Sequence, residues 1–309
     1  MSRIASRWKA PSLRRSLAWL CLGLFLVSRP VTAADTVPLR GFHIGNSLTG
    51  NLMPHLLEDS FGRNGIAATI GWHIDHSQSA ASIAANPMGV GGLEGWVPFY
   101  GVWSEALPGH PWDYVAIQTF FGPSGVAEVA GIQAFIDALG VHPANAATRI
   151  DLYETWQWNE WSSSQGAYAT LWERPYRTLR QPIEPNARFF SRLLHRLRLD
   201  NPSRTIGVIP VGEVFAVLDN RLRAQAVEGS SRTLRSAWDL YQDVIHLGRD
   251  GAYVAHVTTV STLLNRNPDE MVLDPGLVGS VTPEFRALVH KVVWLVVGRS
   301  NRLFETTRE

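Results

Sequence analysis

Cysteine is almost absent from this 309-residue chain, with Cys21 the single one. Cys21 lies in a leader expected to be removed, so the mature chain is expected to have no disulfide and no thiol nucleophile. A protein exported without disulfides must be held by its core alone, and about 275 residues can bury such a core as one large domain. Long apolar runs are also missing. Leu17 to Val27 falls short of the roughly 20 residues needed to span a bilayer, so it reads as the core of an export signal. Arg3, Arg7, Lys9, Arg14 and Arg15 precede it, and Val31-Thr32-Ala33 follows as a small-residue cleavage site. Arg14-Arg15-Ser16-Leu17 has the look of a twin-arginine signal. Residues 1–33 are therefore expected to direct export to the periplasm or the medium, with no stable membrane anchor left after cleavage.

An excess of positive charge is lacking as well. Six of the 28 basic residues and none of the 27 acidic ones fall within residues 1–33, which leaves 22 against 27 and a net of −5 in the mature chain. That balance gives no support for a nucleic-acid partner. The chain has no glycine-rich phosphate loop, so no nucleotide site is expected, and no H-E-x-x-H helix. His73 and His76 flank Asp75 without a third ligand at close spacing, so no metal or other cofactor is assigned.

What is present is alternation. Apolar runs of strand length occur at Leu39–Ile44, Ala67–Ile74, Tyr114–Gln118, Ile150–Thr155 and Thr205–Pro210. Several are rich in Val and Ile without a polar face, as strands buried on both sides require. Helical patterns fall near Asn51–Arg63, Gly131–Leu139, Asn186–Leu199, Arg232–Tyr241, Gly251–Leu264 and Pro283–Val297. Strand–helix alternation predicts a mostly parallel sheet covered by helices on both faces, one domain over residues 34–309, with ligands at the carboxyl ends of the strands. Two long connections, about Ser77 to Trp112 and about Trp156 to Pro185, are of a length that is usually functional.

The first strand stops at Gly45-Asn46-Ser47-Leu48. A serine on a strand-to-helix turn holds its hydroxyl exposed at the carboxyl end of the sheet. Far downstream, Asp243-Val244-Ile245-His246 sets a carboxylate and an imidazole three residues apart. On a turn, that spacing lets the carboxylate reach one ring nitrogen while the other faces a serine, and a weak hydroxyl nucleophile needs such a base. An ordinary α/β-hydrolase would place G-x-S-x-G in mid-chain, whereas here the serine lies near the mature N-terminus and Gly50 is one residue too far.

These two segments, with Trp112-Asp113-Tyr114-Val115-Ala116-Ile117-Gln118 between them, resemble the conserved blocks of the SGNH (GDSL-like) hydrolases over roughly residues 37 to 265. Asn46 stands where Asp is usual. The resemblance implies a three-layer α/β/α flavodoxin-like sandwich on a mostly five-stranded parallel sheet. It further implies Ser47 as nucleophile, His246 as base and Asp243 as its orienter. The oxyanion would be held by the Ser47 N–H, by Gln118 in place of the usual asparagine, and by Ser79 in place of a missing second-block glycine. The activity implied is ester hydrolysis with no cofactor. Short acyl groups such as acetyl are expected, on a small-molecule or polysaccharide ester. Trp156, Trp158 and Trp161 leave the fourth strand and could stack on sugar rings or pack their loop onto the body. A lipid or lysophospholipid esterase, and a silent carbohydrate-binding protein on the same fold, are the rival expectations.

Overall fold

All five apolar runs become strands in the computed structural model, within one or two residues of the expected ends: β1 Leu39–Gly45, β2 Ala68–Ile74, β3 Tyr114–Gln118, β4 Arg149–Tyr153 and β5 Ile206–Ile209. The structure describes residues 38–91, 100–119, 125–159, 166–174 and 186–305. The segment expected to be an export signal, residues 1–33, lies outside them. The strands form one parallel sheet in the order β2-β1-β3-β4-β5, the flavodoxin-like doubly wound order. β3 is buried along its whole length, which is why its sequence shows no alternation.

Two groups of helices cover the sheet. α1 Ser47–Gly50 and α2 Leu57–Arg63 follow β1; α3 Ala80–Ala85 and α4 Trp103–Gly109 follow β2. α5 Gly125–Val141 follows β3, α6 Tyr168–Trp172 and α7 Ala187–Asp200 follow β4, and α8 Val211–Ala224 follows β5. α9 Arg249–Leu264, α10 Pro275–Val278 and α11 Pro283–Glu305 complete the chain. α3, α4 and α7 pack on α5, whereas α8, α9 and α11 pack on one another and α2 packs on α9. The result is a three-layer α/β/α sandwich, and residues Val37–Glu309 form one compact unit.

The short helices α3, α4, α6 and α10 were not expected, and two further differences have a clear physical reason. Arg232–Tyr241 is not a helix: Thr233–Leu234 pairs with Val227–Glu228 as a short antiparallel ribbon, and only Ala237–Leu240 turns, as a 3₁₀ helix. Ser236 and Asp239 make a capping box there that starts a single turn and satisfies its first donors locally. α8 escapes sequence reading because Ile206 to Leu218 is nearly unbroken apolar sequence in which strand and helix merge; Pro210 marks the joint as the helix N-cap.

Three histidines are buried as neutral rings. His43 on β1 meets the Tyr114 hydroxyl at 3.0 Å, and His73 on β2 accepts the Trp103 N–H at 3.3 Å. His256 on α9 donates from Nδ1 to the Leu52 carbonyl at 2.8 Å and accepts the Ser60 hydroxyl at Nε2, also at 2.8 Å. Burial pushes their pKa values down, to about 3 for His43 and about 4 for His73 and His256. Between those values and the ordinary 6.5 the unfolded chain binds protons that the folded chain refuses, so each ring destabilises the fold as pH falls through that window. Burial raises Glu154, to about 8, and also Asp151 and Glu213, and these carboxyls act in the opposite sense. A paired comparison isolates one ring. The stability lost by the wild type between pH 7.5 and 5 in urea melts is expected to exceed that lost by His256→Asn by about 2 kcal/mol; equal losses would show that His256 is not a buried neutral ring.

Candidate active site

β1 ends at Gly45 because nothing larger fits. A Cβ there would collide with the Thr49 hydroxyl and stand 2.6 Å from Gln118 Oε1. Asn46 is extended and caps α1, its Oδ1 accepting the Leu48 N–H at 3.0 Å. Ser47 is the first residue of α1, so its N–H has no intrahelical acceptor, and it has no partner among the described residues.

The second half of the site is a turn between Tyr241 and Leu247, which pair as an isolated antiparallel bridge. Asp243 Oδ1 accepts the N–H groups of Ile245 at 2.8 Å and His246 at 2.7 Å, an Asx-type turn that aspartate favours. Its other oxygen faces His246 Nδ1 at 2.8 Å, and His246 Nε2 faces Ser47 Oγ at 2.9 Å. With Nδ1–H donating to the carboxylate, Nε2 is the free base that accepts the serine proton. Partial burial alone would raise the Asp243 carboxyl. The bonds from the Ile245 and His246 N–H groups and from the imidazole outweigh it and hold the carboxyl below its ordinary range, so it stays ionised beside the ring. The sequence-expected trio is thus joined in one chain of hydrogen bonds at the carboxyl end of the sheet, across 199 residues.

The two halves are tied beyond the trio. Asn51 Oδ1 accepts the Leu247 N–H at 3.3 Å, and His256, on the helix after the turn, holds the Leu52 carbonyl.

Two expectations need correction. Gln118 does not present its amide to a substrate. Nε2 donates to Asn46 Oδ1 at 3.0 Å and to the Thr119 carbonyl at 3.1 Å, and Oε1 accepts from Asn46 N, Thr49 N and Thr49 Oγ1 at 3.0, 3.0 and 2.8 Å. The side chain folds back under the Ser47 turn instead of reaching past it. Trp156 is no exposed platform. It is fully buried, stacks on Phe215 at 5.8 Å and 16°, and donates its indole N–H to the Ile245 carbonyl at 2.6 Å. Asn159 N–H donates to the Val244 carbonyl at 2.7 Å, and the Tyr241 hydroxyl donates to the Gln157 carbonyl at 2.6 Å. The aromatic segment is therefore a buttress beneath the Asp243–His246 turn. Trp158 is half-buried and Trp161 lies outside the described residues. Ser79 keeps the donor expected of it: its hydroxyl caps α3 by accepting the Ser82 N–H at 3.1 Å, and that leaves the backbone N–H, with no partner among the described residues. Two residues earlier Ser77 sits at φ +61°, a left-handed position that glycine fills at less cost, so the turn keeps a glycine-like shape without the glycine.

Fold and site together define a doubly wound α/β/α protein carrying a hydrogen-bonded Ser–His–Asp chain at the carboxyl edge of its sheet. No family model and no curated protein matches the sequence. Among solved structures, the chain is similar to the crystal structure of a DUF4886 family protein from Bacteroides uniformis ATCC 8492. The TM-score is 0.57 at 14% identity, covering 83% of this chain and 93% of that one. That likeness shows the fold.

Proposed function

We propose that the protein is a serine esterase that removes short acyl groups. The observation that carries the reading is the unbroken chain Ser47 Oγ, His246 Nε2, His246 Nδ1, Asp243 Oδ2, with links of 2.9 and 2.8 Å. His246 takes the Ser47 proton as Oγ attacks the ester carbonyl. Collapse of the tetrahedral intermediate expels the alcohol, which leaves with that proton, and the acyl group stays on Ser47. Water, deprotonated by His246, then releases the acid and restores the serine. Asp243 stabilises the imidazolium formed in both halves. The Ser47 and Ser79 N–H groups are the proposed donors to the oxyanion, two backbone dipoles that need no reorganisation.

Access supports the choice of substrate class. The Asp243 and His246 side chains are 46% and 33% exposed, an arrangement that suits an acyl group projecting from a larger molecule such as a glycan. An apolar cavity of about 490 Å³ lies between α5 and α7, walled by Val126, Val129, Phe189 and Leu193, and none of the trio lines it. A lipid esterase would need its acyl groove elsewhere. With p-nitrophenyl esters, kcat/KM is expected to be highest for acetate, to fall at butyrate and to be lowest at octanoate, and acetylated glycans are expected to release acetate. A steep rise toward octanoate would transfer the proposal to lipid esters.

A further inference from the structure

We propose that Gln118 is a positioning residue that holds the nucleophile turn and the Ser77–Ser79 turn in register through Asn46. The proposal rests on Ser47 being the nucleophile and adds to it the device that orients it. Gln118 is almost completely buried, and its amide is fully engaged, with three donors on Oε1 and two acceptors on Nε2. Those five partners fix the orientation of the amide, because the donors Asn46 N and Thr49 N must face an oxygen. Asn46 N and Thr49 N bracket Ser47, so one oxygen sets the direction of the segment that carries the nucleophile. Gly45 leaves the room that this approach needs.

Asn46 carries the register onward. Its Oδ1 accepts from Gln118 Nε2 and Leu48 N, and its Nδ2 donates to the Gln78 carbonyl at 2.9 Å. An amide accepts and donates at once in this place, which a carboxylate cannot do. An aspartate at 46 would set a carboxylate oxygen against the Gln78 carbonyl, which accounts for asparagine beside the serine. The Gln78 carbonyl belongs to the same peptide as the Ser79 N–H. A single amide pair thus fixes both backbone donors proposed for the oxyanion, while Gln118 itself touches neither substrate nor oxyanion. A buried polar network of this kind is stiff when every member is satisfied and costly when one is not.

A double-mutant cycle tests this. Gln118→Glu keeps shape and acceptor but sets a carboxylate oxygen against Asn46 Oδ1 and the Thr119 carbonyl. Asn46→Ser keeps the helix cap but removes that oxygen and the bond to Gln78. With p-nitrophenyl acetate each single variant is expected to lose about 100-fold in kcat, with KM within about threefold, as misplaced reacting groups do. The double variant is expected to be at least as active as Gln118→Glu alone, because one of the two opposed oxygens is gone. Losses that multiply to about 10⁴-fold would overturn the proposal, since a Gln118 acting on the oxyanion directly would be independent of Asn46. The same four proteins are compared in urea. There too the double variant is expected to be no less stable than Gln118→Glu, and additive losses would overturn the network. The urea cycle needs no turnover, so an inactive wild type would sink the esterase reading while leaving Gln118 and Asn46 to be judged by stability.

Discussion

Ser47→Ala and His246→Ala are each expected to lower kcat for p-nitrophenyl acetate by about 10⁴-fold or more, and the two together little further. The expectation follows from the single proton path. Without Oγ there is no acyl acceptor, and without Nε2 the hydroxyl 2.9 Å away keeps its proton. Asp243→Asn is expected to be nearly as severe, because an amide in place of the carboxylate at 2.8 Å from Nδ1 turns the wrong tautomer toward the serine. Its circular dichroism and melting temperature are expected to stay near wild type, since Asp243 is exposed. Steady-state kinetics on purified variants provide the check. Turnover retained by Ser47→Ala would mean that the hydrolysis measured belongs to some other group.

The second large effect concerns Trp156. Truncation to alanine removes a fully buried indole stacked on Phe215 and is expected to cost about 3–5 kcal/mol of stability. Trp156→Phe keeps most of the ring but deletes the donor to the Ile245 carbonyl. An orphaned buried acceptor costs about 1–3 kcal/mol, so this partly buried one is expected to cost about 1 kcal/mol, and it sits in the turn that carries His246. The Phe variant is therefore expected to lose kcat with KM nearly unchanged, alongside a measurable drop in the urea midpoint. A tryptophan that stacks on a substrate sugar would behave in the reverse way, with KM for a glycan ester rising and stability untouched. The two readings are separated by one set of melts and one saturation curve.

The pair shows what was legible in the sequence and what was not. Strands buried on both faces write themselves as Val- and Ile-rich runs, so β1 to β5 could be read along with the layered architecture. Ser47 could be read because a glycine turn after such a run is local, and Asp243 with His246 because three residues fit one turn. The roles of Gln118 and Trp156 were not local. Gln118 reaches Asn46 across 72 positions, and Trp156 reaches Ile245 across 89. Such bonds between a side chain and a distant backbone leave no periodicity behind. A tryptophan after a strand looks the same whether it faces solvent or supports a neighbouring turn, and burial decides. Likewise, a glutamine at the end of β3 announces an amide but not the direction in which it points. The asparagine beside Ser47 was also legible only as a residue type, able to donate and to accept, without its partners Gln118 and Gln78.

The most direct test of the central claim is covalent labelling. The wild-type protein, Ser47→Ala and His246→Ala would be treated at pH 7.5 with a fluorophosphonate probe and followed by intact mass, with the modified peptide then mapped. A single adduct on Ser47 of the wild type is predicted, absent from Ser47→Ala and formed far more slowly on His246→Ala. A wild type that takes up no probe, or an adduct that persists in Ser47→Ala, would contradict the assignment of Ser47 as an activated nucleophile.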